Sequence, residues 1–145
     1  MYQDFSDHFS TIGNHIDRAK RILILNPEGG DGDSFGSSLA LANHFSNIGK
    51  PHTVFAKRAA RRTFNFLPRF EHIEEDPKKL DLSQFDLIMS VDFADPVMTG
   101  ILDVLEKRDP KKLVWINIDH HPTNLNFGSV NVVDPHSAAA CEIVF

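Results

Sequence analysis

Short apolar runs alternate with helical patterns along this chain, and that alternation limits the folds it can adopt. The runs are rich in β-branched and aromatic residues and predict buried strands at residues 21–25, 52–56, 85–91, 112–118 and 130–133. Apolar residues spaced by three and four predict helices at residues 4–20, 34–48, 96–107 and 137–145. Strands joined by helices form βαβ units, so we expect an α/β fold with a doubly wound, mostly parallel sheet and helices on both faces.

Two turn signals mark the ends of the second predicted helix. Ser34 is its expected N-cap, because a hydroxyl side chain accepts hydrogen bonds from the free N–H groups of a first turn. Gly49 is its expected stop, because glycine readily adopts the left-handed conformation that ends helices. Pro96 suits the first turn of the third predicted helix, where its missing N–H costs nothing.

The segment of residues 57–81 has no clear period, since Pro68 and Pro77 interrupt any long helix. Several basic residues surround apolar ones there: Arg58, Arg61, Arg62 and Arg69 around Phe64, Phe66 and Leu67. Two interpretations stay open, a solvated basic face, which we favour, and a nucleic-acid site. We expect the aromatic residues to lie in the core rather than to act as stacking platforms.

Composition narrows the class of protein. At 145 residues the chain is one domain by size, or a piece of a larger one, and its formal net charge of −5 argues against broad DNA binding. One cysteine, Cys141, excludes an internal disulfide and fits a reducing cytoplasm. Residues 1–5 do not resemble a signal peptide, and no apolar run approaches the ~20 residues that span a membrane. We therefore expect a cytoplasmic protein with no membrane segment.

Acids and imidazoles follow three of the predicted strands. Asp31 and Asp33 follow the first, Asp92 follows the third, and Asp119-His120-His121 ends the fourth. Because the carboxyl ends of parallel strands share one edge of a sheet, and ligands bind at that edge, these side chains should meet. Each cluster alone has a simpler explanation, as a turn, a helix cap or loop polarity, but together they predict a metal site.

The donor types indicate which ions and which chemistry this site would suit. Carboxylates mixed with imidazoles favour Mn²⁺ or another transition ion over Ca²⁺, with Mg²⁺ or Co²⁺ as alternatives. Asp92 is well placed to bridge two ions, and two ions about 3.5–4 Å apart stabilise both the attacking and the leaving oxygen of a phosphoryl centre. Asp119 can orient a neighbouring imidazole. The six other histidines show no ligand spacing and are expected at the surface or half-buried: His8, His15, His44, His52, His72 and His136.

These motifs resemble those of the DHH phosphoesterase superfamily. Residues 119–121 resemble its name-giving signature, residues 31–41 its first motif, and Val91-Asp92 its second. Residues 133–142 resemble the segment after the signature in the RecJ-like branch, which includes bifunctional oligoribonucleases and 3′-phosphoadenosine 5′-phosphate (pAp) phosphatases. The resemblance runs from about Arg21 to the last residue.

The resemblance implies a role for each matching residue. Asp31 would bind a first metal ion, Asp33 and His120 a second, and Asp92 would bridge them. His121 would contact the scissile phosphate, and Ser37 is a second candidate for phosphate contact. Asp92, Asp119, His120 and His121 would thus form the catalytic group. The implied reaction is Mn²⁺-dependent hydrolysis of a phosphodiester or phosphomonoester by a metal-activated water.

Two departures from the family pattern bear on activity. The first motif normally begins with a metal-binding histidine four residues before its first aspartate, and Pro27 stands at that position; Asn26 and Glu28 are the candidate substitutes. The family's fourth motif and its C-terminal substrate domain lie beyond residue 145. Asp134 is not that missing motif, because it follows the signature too soon. We therefore expect the N-terminal part of a DHH phosphoesterase domain, inactive by itself.

Two functions stay open. The first is a phosphoesterase acting on a small nucleotide or a short single-stranded oligonucleotide. The second is a nucleotide- or metal-binding module with little catalysis, since losing one ligand or its support commonly costs 10–100-fold in affinity or activity. The apolar stripe of the last predicted helix has no evident partner in the sequence, so self-association of the chain, for example as a homodimer, is one expectation. Cys141 lies on that stripe and is expected to be simply buried.

Overall fold

The fold is a single five-stranded sheet, described in a computed structural model for residues 4–145. The strands are β1 (Ile22–Leu25), β2 (His52–Phe55), β3 (Leu87–Val91), β4 (Val114–Asp119) and β5 (Val130–Val133). All four strand pairings are parallel and the order is β2-β1-β3-β4-β5. The helices are α1 (Ser6–Arg18), α2 (Gly32–Asn47), α3 (Arg61–Phe64), α4 (Leu102–Leu105) and α5 (Ala140–Val144). The predicted doubly wound α/β fold is confirmed, and the sheet is entirely parallel.

Alternating side chains of the central strands bury two cores, one on each face of the sheet. Ile22 and Ile24 of β1 belong to the core on the face covered by α1, α2 and α5. Leu23 and Leu25 belong to the core on the opposite face, with residues of α4 and of the segment before β3. All four side chains are fully buried, which explains why the strand reads as an unbroken apolar run. Helices therefore cover both faces, as predicted. Ile143 and Val144 of α5 pack against the first core, so the expectation that the apolar stripe of the last helix has no partner in the chain is wrong.

Helix α2 begins two residues earlier than its expected cap. Asp31 is the N-cap, and its Oδ1 accepts hydrogen bonds from the backbone N–H groups of Asp33 and Ser34, both at 3.0 Å. The Ser34 hydroxyl accepts in return from the Asp31 N–H at 2.7 Å, which completes a capping box. The prediction of Ser34 as cap is thus wrong. Asp33 lies inside the first helical turn rather than in an extended loop beside Asp31. Gly49 adopts φ +70° just after the helix, as expected of its stop.

The two later predicted helices are shorter than their sequence patterns suggest. Instead of one helix over residues 96–107, a 3₁₀ turn covers Pro96–Thr99 and α4 covers Leu102–Leu105. They are separated by Gly100 at φ +69°, which ends the first turn. Helix α5 begins at Ala140 rather than at residue 137. The Asp134 carboxylate accepts from the His136 N–H and the Ser137 hydroxyl and holds the preceding residues in a turn.

The segment of residues 57–81 forms α3 and the short 3₁₀ turns Phe70–His72 and Pro77–Lys79. Phe64 and Leu67 are partly buried against the core, as expected. Phe66 is 75% exposed, so the expectation that all its aromatic residues enter the core is wrong. The turn that follows α3 directs this side chain to solvent, which the irregular sequence pattern did not indicate.

No helix within residues 4–145 combines the length and the apolar content needed to cross a membrane. Residues 1–3, part of the stretch inspected for a signal peptide, lie outside the described residues. Of the six histidines outside the signature, three are half-buried and three exposed.

Candidate metal centre

The residues at the tips of β1, β3 and β4 meet at one edge of the sheet. β3 and β4 end in register, with Val91 paired to Ile118 and the Asp92 N–H donating to the Ile118 carbonyl at 3.1 Å. Parallel pairing therefore brings Asp92 beside the signature residues that follow Ile118. Helix α2, which follows β1, adds its first turn with Asp31 and Asp33. The predicted convergence of the three clusters on the carboxyl edge is what the topology produces.

Asp92 occupies the most unusual position of this edge. It is 7% exposed and adopts φ +62°, the left-handed region that non-glycine residues rarely enter. Burial, followed by the negative charges of Asp33, Asp31 and Asp119, raises the pKa of the Asp92 carboxyl to about 8. A backbone strained at this point and a carboxylate crowded by three others are features that concentrate at functional sites.

Asp33 is held by the opposite end of the chain. Its Oδ2 accepts from the Ala140 N–H at 2.8 Å and its Oδ1 from the Cys141 N–H at 2.9 Å. Burial works to raise the pKa of the Asp33 carboxyl, but these hydrogen bonds and the nearby His120 together bring it below its ordinary value. Asp33 is therefore fixed as an anion at the start of α5, beside the tips of β3 and β4.

The His120 imidazole connects Asp33 with Asp92. Its Nε2 lies 3.5 Å from Asp33 Oδ2 and 3.5 Å from Asp92 Oδ1. Its other nitrogen, Nδ1, lies 3.2 Å from the Ser137 carbonyl oxygen, which fixes the ring orientation. In metal sites, the ring N–H of a ligand histidine typically donates to such a carbonyl. With the proton on Nδ1, the lone pair of Nε2 can bind a metal ion.

His121 is oriented by a buried carboxylate. Its Nδ1 lies 2.7 Å from Oδ1 of Asp119, which is fully buried and also accepts from the His120 N–H at 2.8 Å. The second oxygen of Asp119 accepts from the Asn124 side-chain amide at 2.6 Å, and that amide also donates to the Phe93 carbonyl at 3.1 Å. Asp119 therefore positions the signature rather than presenting a free oxygen to solvent.

The donor set fits a divalent cation. Ligand atoms of Asp92, His120 and His121 all lie within 4.8 Å of one another, and Asp33 Oδ2 adds a further oxygen within 3.5 Å of His120 Nε2. Like charges that raise the pKa of Asp92 would be neutralised by an ion bound among them. Carboxylate oxygens with imidazole nitrogens are a usual donor combination for transition ions. Asp31 borders the site but uses Oδ1 to cap α2.

Residues 26–28 contain the position where the family resemblance implies a histidine ligand. Pro27 is buried and offers no side-chain donor. The Glu28 carboxylate is bound by Arg58 at 2.6 Å and faces Lys57 at 3.7 Å, so it is committed to another partner. Asn26 is fully buried, its Nδ2 donates to the Phe55 carbonyl at 3.3 Å, and its Oδ1 has no hydrogen-bond partner among the described residues. Of the two candidate substitutes, Asn26 is the one with a buried oxygen atom that has no partner in the described residues and could bind a metal ion.

Comparison with known proteins agrees with this geometry. The family described as "DHH family, N-terminal domain" matches residues 21–145, which include every cluster described above. The chain belongs to the DHH family. The matched range contains residues 119–121, which resemble the signature, and β4 ends at the first of them.

Two relatives show how much of a DHH protein this chain represents. It is 35% identical over 114 residues to the bifunctional oligoribonuclease and PAP phosphatase NrnA of Thermus thermophilus, which covers 79% of this chain and 32% of that protein. The crystal structure of an exopolyphosphatase-related protein from Bacteroides fragilis superposes with a TM-score of 0.86 and 23% identity, covering 96% of this chain and 42% of that one. The chain thus spans about a third of the length of the curated relative, and the second match confirms the fold.

Ser37 and Cys141 contact Asp33 from the buried side of the candidate metal centre. Ser37 is fully buried, and its hydroxyl lies 3.4 Å from Asp33 Oδ1 and 3.2 Å from Cys141 Sγ. In this structure the hydroxyl therefore contacts a candidate ligand, and its expected contact with phosphate stays a prediction. Cys141 is half-buried, and burial raises the pKa of its thiol. It is more than an apolar residue of the helix stripe, because its N–H holds Asp33.

Sequence reasoning missed the groups that hold the ligands of this DHH centre in place. Asn124 supports Asp119, the Ser137 carbonyl supports His120, and the Ala140 N–H supports Asp33. Only Asn124 gave a signal, as an amide side chain three residues after the signature. The other two act through backbone atoms, whose positions depend on where α5 begins and not on residue type.

Proposed function

We propose that this chain forms the metal-binding part of a divalent-cation-dependent phosphoesterase of the RecJ-like branch, acting on nucleotides or short oligonucleotides. The observation that carries the proposal is the convergence of Asp92, His120 and His121 donor atoms within 4.8 Å at the carboxyl edge of the sheet. Membership of the DHH family and the similarity to a bifunctional oligoribonuclease and PAP phosphatase support it.

Each residue of the centre has a separate task in this proposal. Asp33, Asp92 and His120 would hold one ion, and Asp31 with Asp92 would hold a second. When bound, Mn²⁺ (or Mg²⁺ or Co²⁺) supplies Lewis-acid stabilisation of charge on the phosphoryl oxygens. Asp119 Oδ1 holds the His121 ring through Nδ1, and the other ring nitrogen, Nε2, would contact a phosphate oxygen.

Asn26 takes part of the role of the missing histidine in this proposal. Its buried Oδ1 has no hydrogen-bond partner in residues 4–145, and an unsatisfied buried polar atom calls for an explanation. A carbonyl-type oxygen is a weaker ligand for transition ions than an imidazole. The ion next to Asp31 is therefore the more weakly bound of the two.

The complete activity requires residues that the relative has beyond the matched segment, so the 145-residue chain alone hydrolyses no substrate. The test measures release of mononucleotides from a short oligoribonucleotide and of phosphate from pAp, with Mn²⁺ or with chelator. The complete gene product is compared with the isolated chain. We expect Mn²⁺-dependent hydrolysis by the complete product only. Hydrolysis by neither protein would contradict the proposed function, and hydrolysis by the isolated chain would contradict the assignment of a missing part.

A second candidate function rests on Pro27, whose buried ring puts no ligand where the family has one. It is a nucleotide- or metal-binding module with little catalysis. This alternative predicts that the complete gene product binds Mn²⁺ and pAp but turns over neither pAp nor oligoribonucleotide.

A further inference from the structure

The strongest concentration of positive charge lies in residues 57–70, here called the basic segment. It contains Lys57, Arg58, Arg61, Arg62 and Arg69 and no acidic residue. The chain as a whole carries a formal net charge of −5. Because the rest of the protein is acidic, a polyanion is attracted to this cluster and repelled by the remaining surface.

This segment borders the metal centre. It follows β2 at the same carboxyl edge, and the Gly29 N–H of the first loop donates to the Lys57 carbonyl at 3.1 Å. Phe64 of α3 lies against the first turn of α2: a Cβ placed on Gly32, between Asp31 and Asp33, would be 3.6 Å from its ring. The basic segment therefore lies next to the loop and the first helical turn that carry Asp31 and Asp33.

Its arginines divide into held and outward-facing ones. Arg61 is fixed by an ion pair with Glu75 and a hydrogen bond to the Ile73 carbonyl at 3.1 Å, and its guanidinium lies over the Phe70 ring. Arg62 is exposed. The Arg58 side chain is 79% exposed although it pairs with Glu28, and its backbone adopts φ +55°. Arg62 is thus available to phosphate groups outside the protein, and Arg58 presents the exposed part of its side chain while it pairs with Glu28.

Phe66 supplies an exposed aromatic face among these charges. Its neighbours Phe64 and Leu67 pack against the core, whereas Phe66 is 75% exposed in the turn after α3. An exposed phenylalanine and exposed arginines within one short segment are the combination that binds single-stranded nucleic acid, since bases stack on the ring and the phosphates meet the cations.

We infer that the basic segment binds the non-scissile nucleotides of a single-stranded oligonucleotide, with a base on Phe66 and phosphates on Arg58 and Arg62. The inference deepens the proposed function and rests on it, because it assigns this segment to the substrate of the same centre. It also selects among substrates. An oligonucleotide offers a base and several further phosphates beyond the one at the centre, whereas polyphosphate has no base to stack on Phe66.

The test is fluorescence anisotropy with a labelled single-stranded oligoribonucleotide of about five nucleotides, in chelator so that hydrolysis and metal binding play no part. Phe66→Ala should weaken binding roughly 5- to 100-fold, the loss expected for one stacked base. Arg62→Ala should weaken it less and reduce the salt dependence by the equivalent of about one phosphate contact. Unlabelled polyphosphate, used as competitor, should have the same inhibition constant with the wild type and with Phe66→Ala, because it has no base to contact Phe66.

Two matched variants serve as controls. Phe9 is a second exposed phenylalanine, on α1, and Arg18 is an exposed arginine at the end of that helix. Phe9→Ala and Arg18→Ala should leave oligoribonucleotide affinity unchanged. Equal affinity of the wild type and Phe66→Ala, equal losses in test and control variants, or no binding by the wild type would overturn the inference.

The outcome separates this inference from the proposed function. Hydrolysis of pAp by the complete gene product, with oligoribonucleotide binding insensitive to Phe66→Ala, overturns the inference and leaves the phosphoesterase. Binding that depends on Phe66 in a protein that hydrolyses no phosphoester supports the inferred surface and overturns the proposed chemistry.

Discussion

The two halves of the metal centre differ in how firmly their side chains are held. In the signature half, formed by Asp92 and residues 119–121, Asp119 and both imidazoles each have a hydrogen-bond partner that fixes their orientation. In the first-loop half, residues 26–31, Pro27 has no donor, Glu28 is bound by Arg58, and Asp31 shares its carboxylate with a helix cap. Ligands held in advance cost less entropy to organise around an ion, so the two halves should bind metal unequally.

The comparison therefore predicts one tight ion and one weak ion. Asp33, Asp92 and His120 would hold the tight one, because Asp33 is itself fixed by two backbone N–H groups. The weak one lies beside Asp31. Calorimetric titration of Mn²⁺ into the metal-free chain should show two separate affinities, and two ions of equal affinity would contradict the difference between the halves.

The largest expected effect is that of Asp92→Ala. Because this carboxylate is shared by both proposed ion sites, its removal should abolish tight Mn²⁺ binding, with a loss of more than about 100-fold. Asp134→Ala is the matched control: its carboxylate also follows a strand but accepts from the turn of His136 and Ser137. It should lower Mn²⁺ affinity far less, because Asp134 reaches the centre only through the turn that contains Ser137. Equal losses in the two variants would show that the centre has been placed wrongly.

A smaller loss is expected from Asp119→Asn. The substitution keeps the shape but puts an amide N–H where one buried oxygen accepts from His121 or Asn124. Mn²⁺ affinity should fall about 10- to 100-fold, the usual cost of losing support for a ligand. Circular dichroism would check that the variant folds. A folded variant with unchanged affinity would mean that Asp119 does not position the signature.

The pKa of Asp92 predicts a pH dependence of stability in metal-free protein. The folded carboxyl has a pKa of about 8 and the ordinary value is 3.8, so between these values only the unfolded chain loses its proton. The unfolded state then binds fewer protons, and the free energy of unfolding falls as pH rises. In chelator, Tm should drop by roughly 7–15 °C from pH 5 to pH 8, and Asp92→Asn should abolish most of that drop. An equal drop in both proteins would assign it to other groups, such as the histidines.

Sequence reasoning predicted the architecture and the contents of the signature half well, for a physical reason. Buried parallel strands are unbroken apolar runs, and a parallel sheet brings the acids after those runs to one edge, so pattern alone locates Asp92 and residues 119–121 together. The start of α2 and of α5 was predicted less well. Where each helix starts depends on the hydrogen bonds that the carboxylates of Asp31 and Asp134 accept. Neighbouring residues, such as Ser34, have a similar propensity to cap a helix, so the sequence alone does not say which residue does so. Phe66 is exposed because it lies in the turn after α3. A turn has no regular spacing of apolar residues from which exposure could be predicted.

The smallest expected effect tests the weak half alone. Pro27→His restores an imidazole at the position where the family carries one, and it should raise the affinity of the weaker Mn²⁺ site about tenfold while leaving the tighter site unchanged. The free energy gained is limited, because Pro27 is buried and the loop must open to place the new ring. The matched variant Glu28→Gln, whose carboxylate is already bound by Arg58, should change neither site. If instead Glu28→Gln weakens the second ion and Pro27→His does not strengthen it, Glu28 leaves Arg58 to bind metal, and the first-loop half is a working site built from a different ligand.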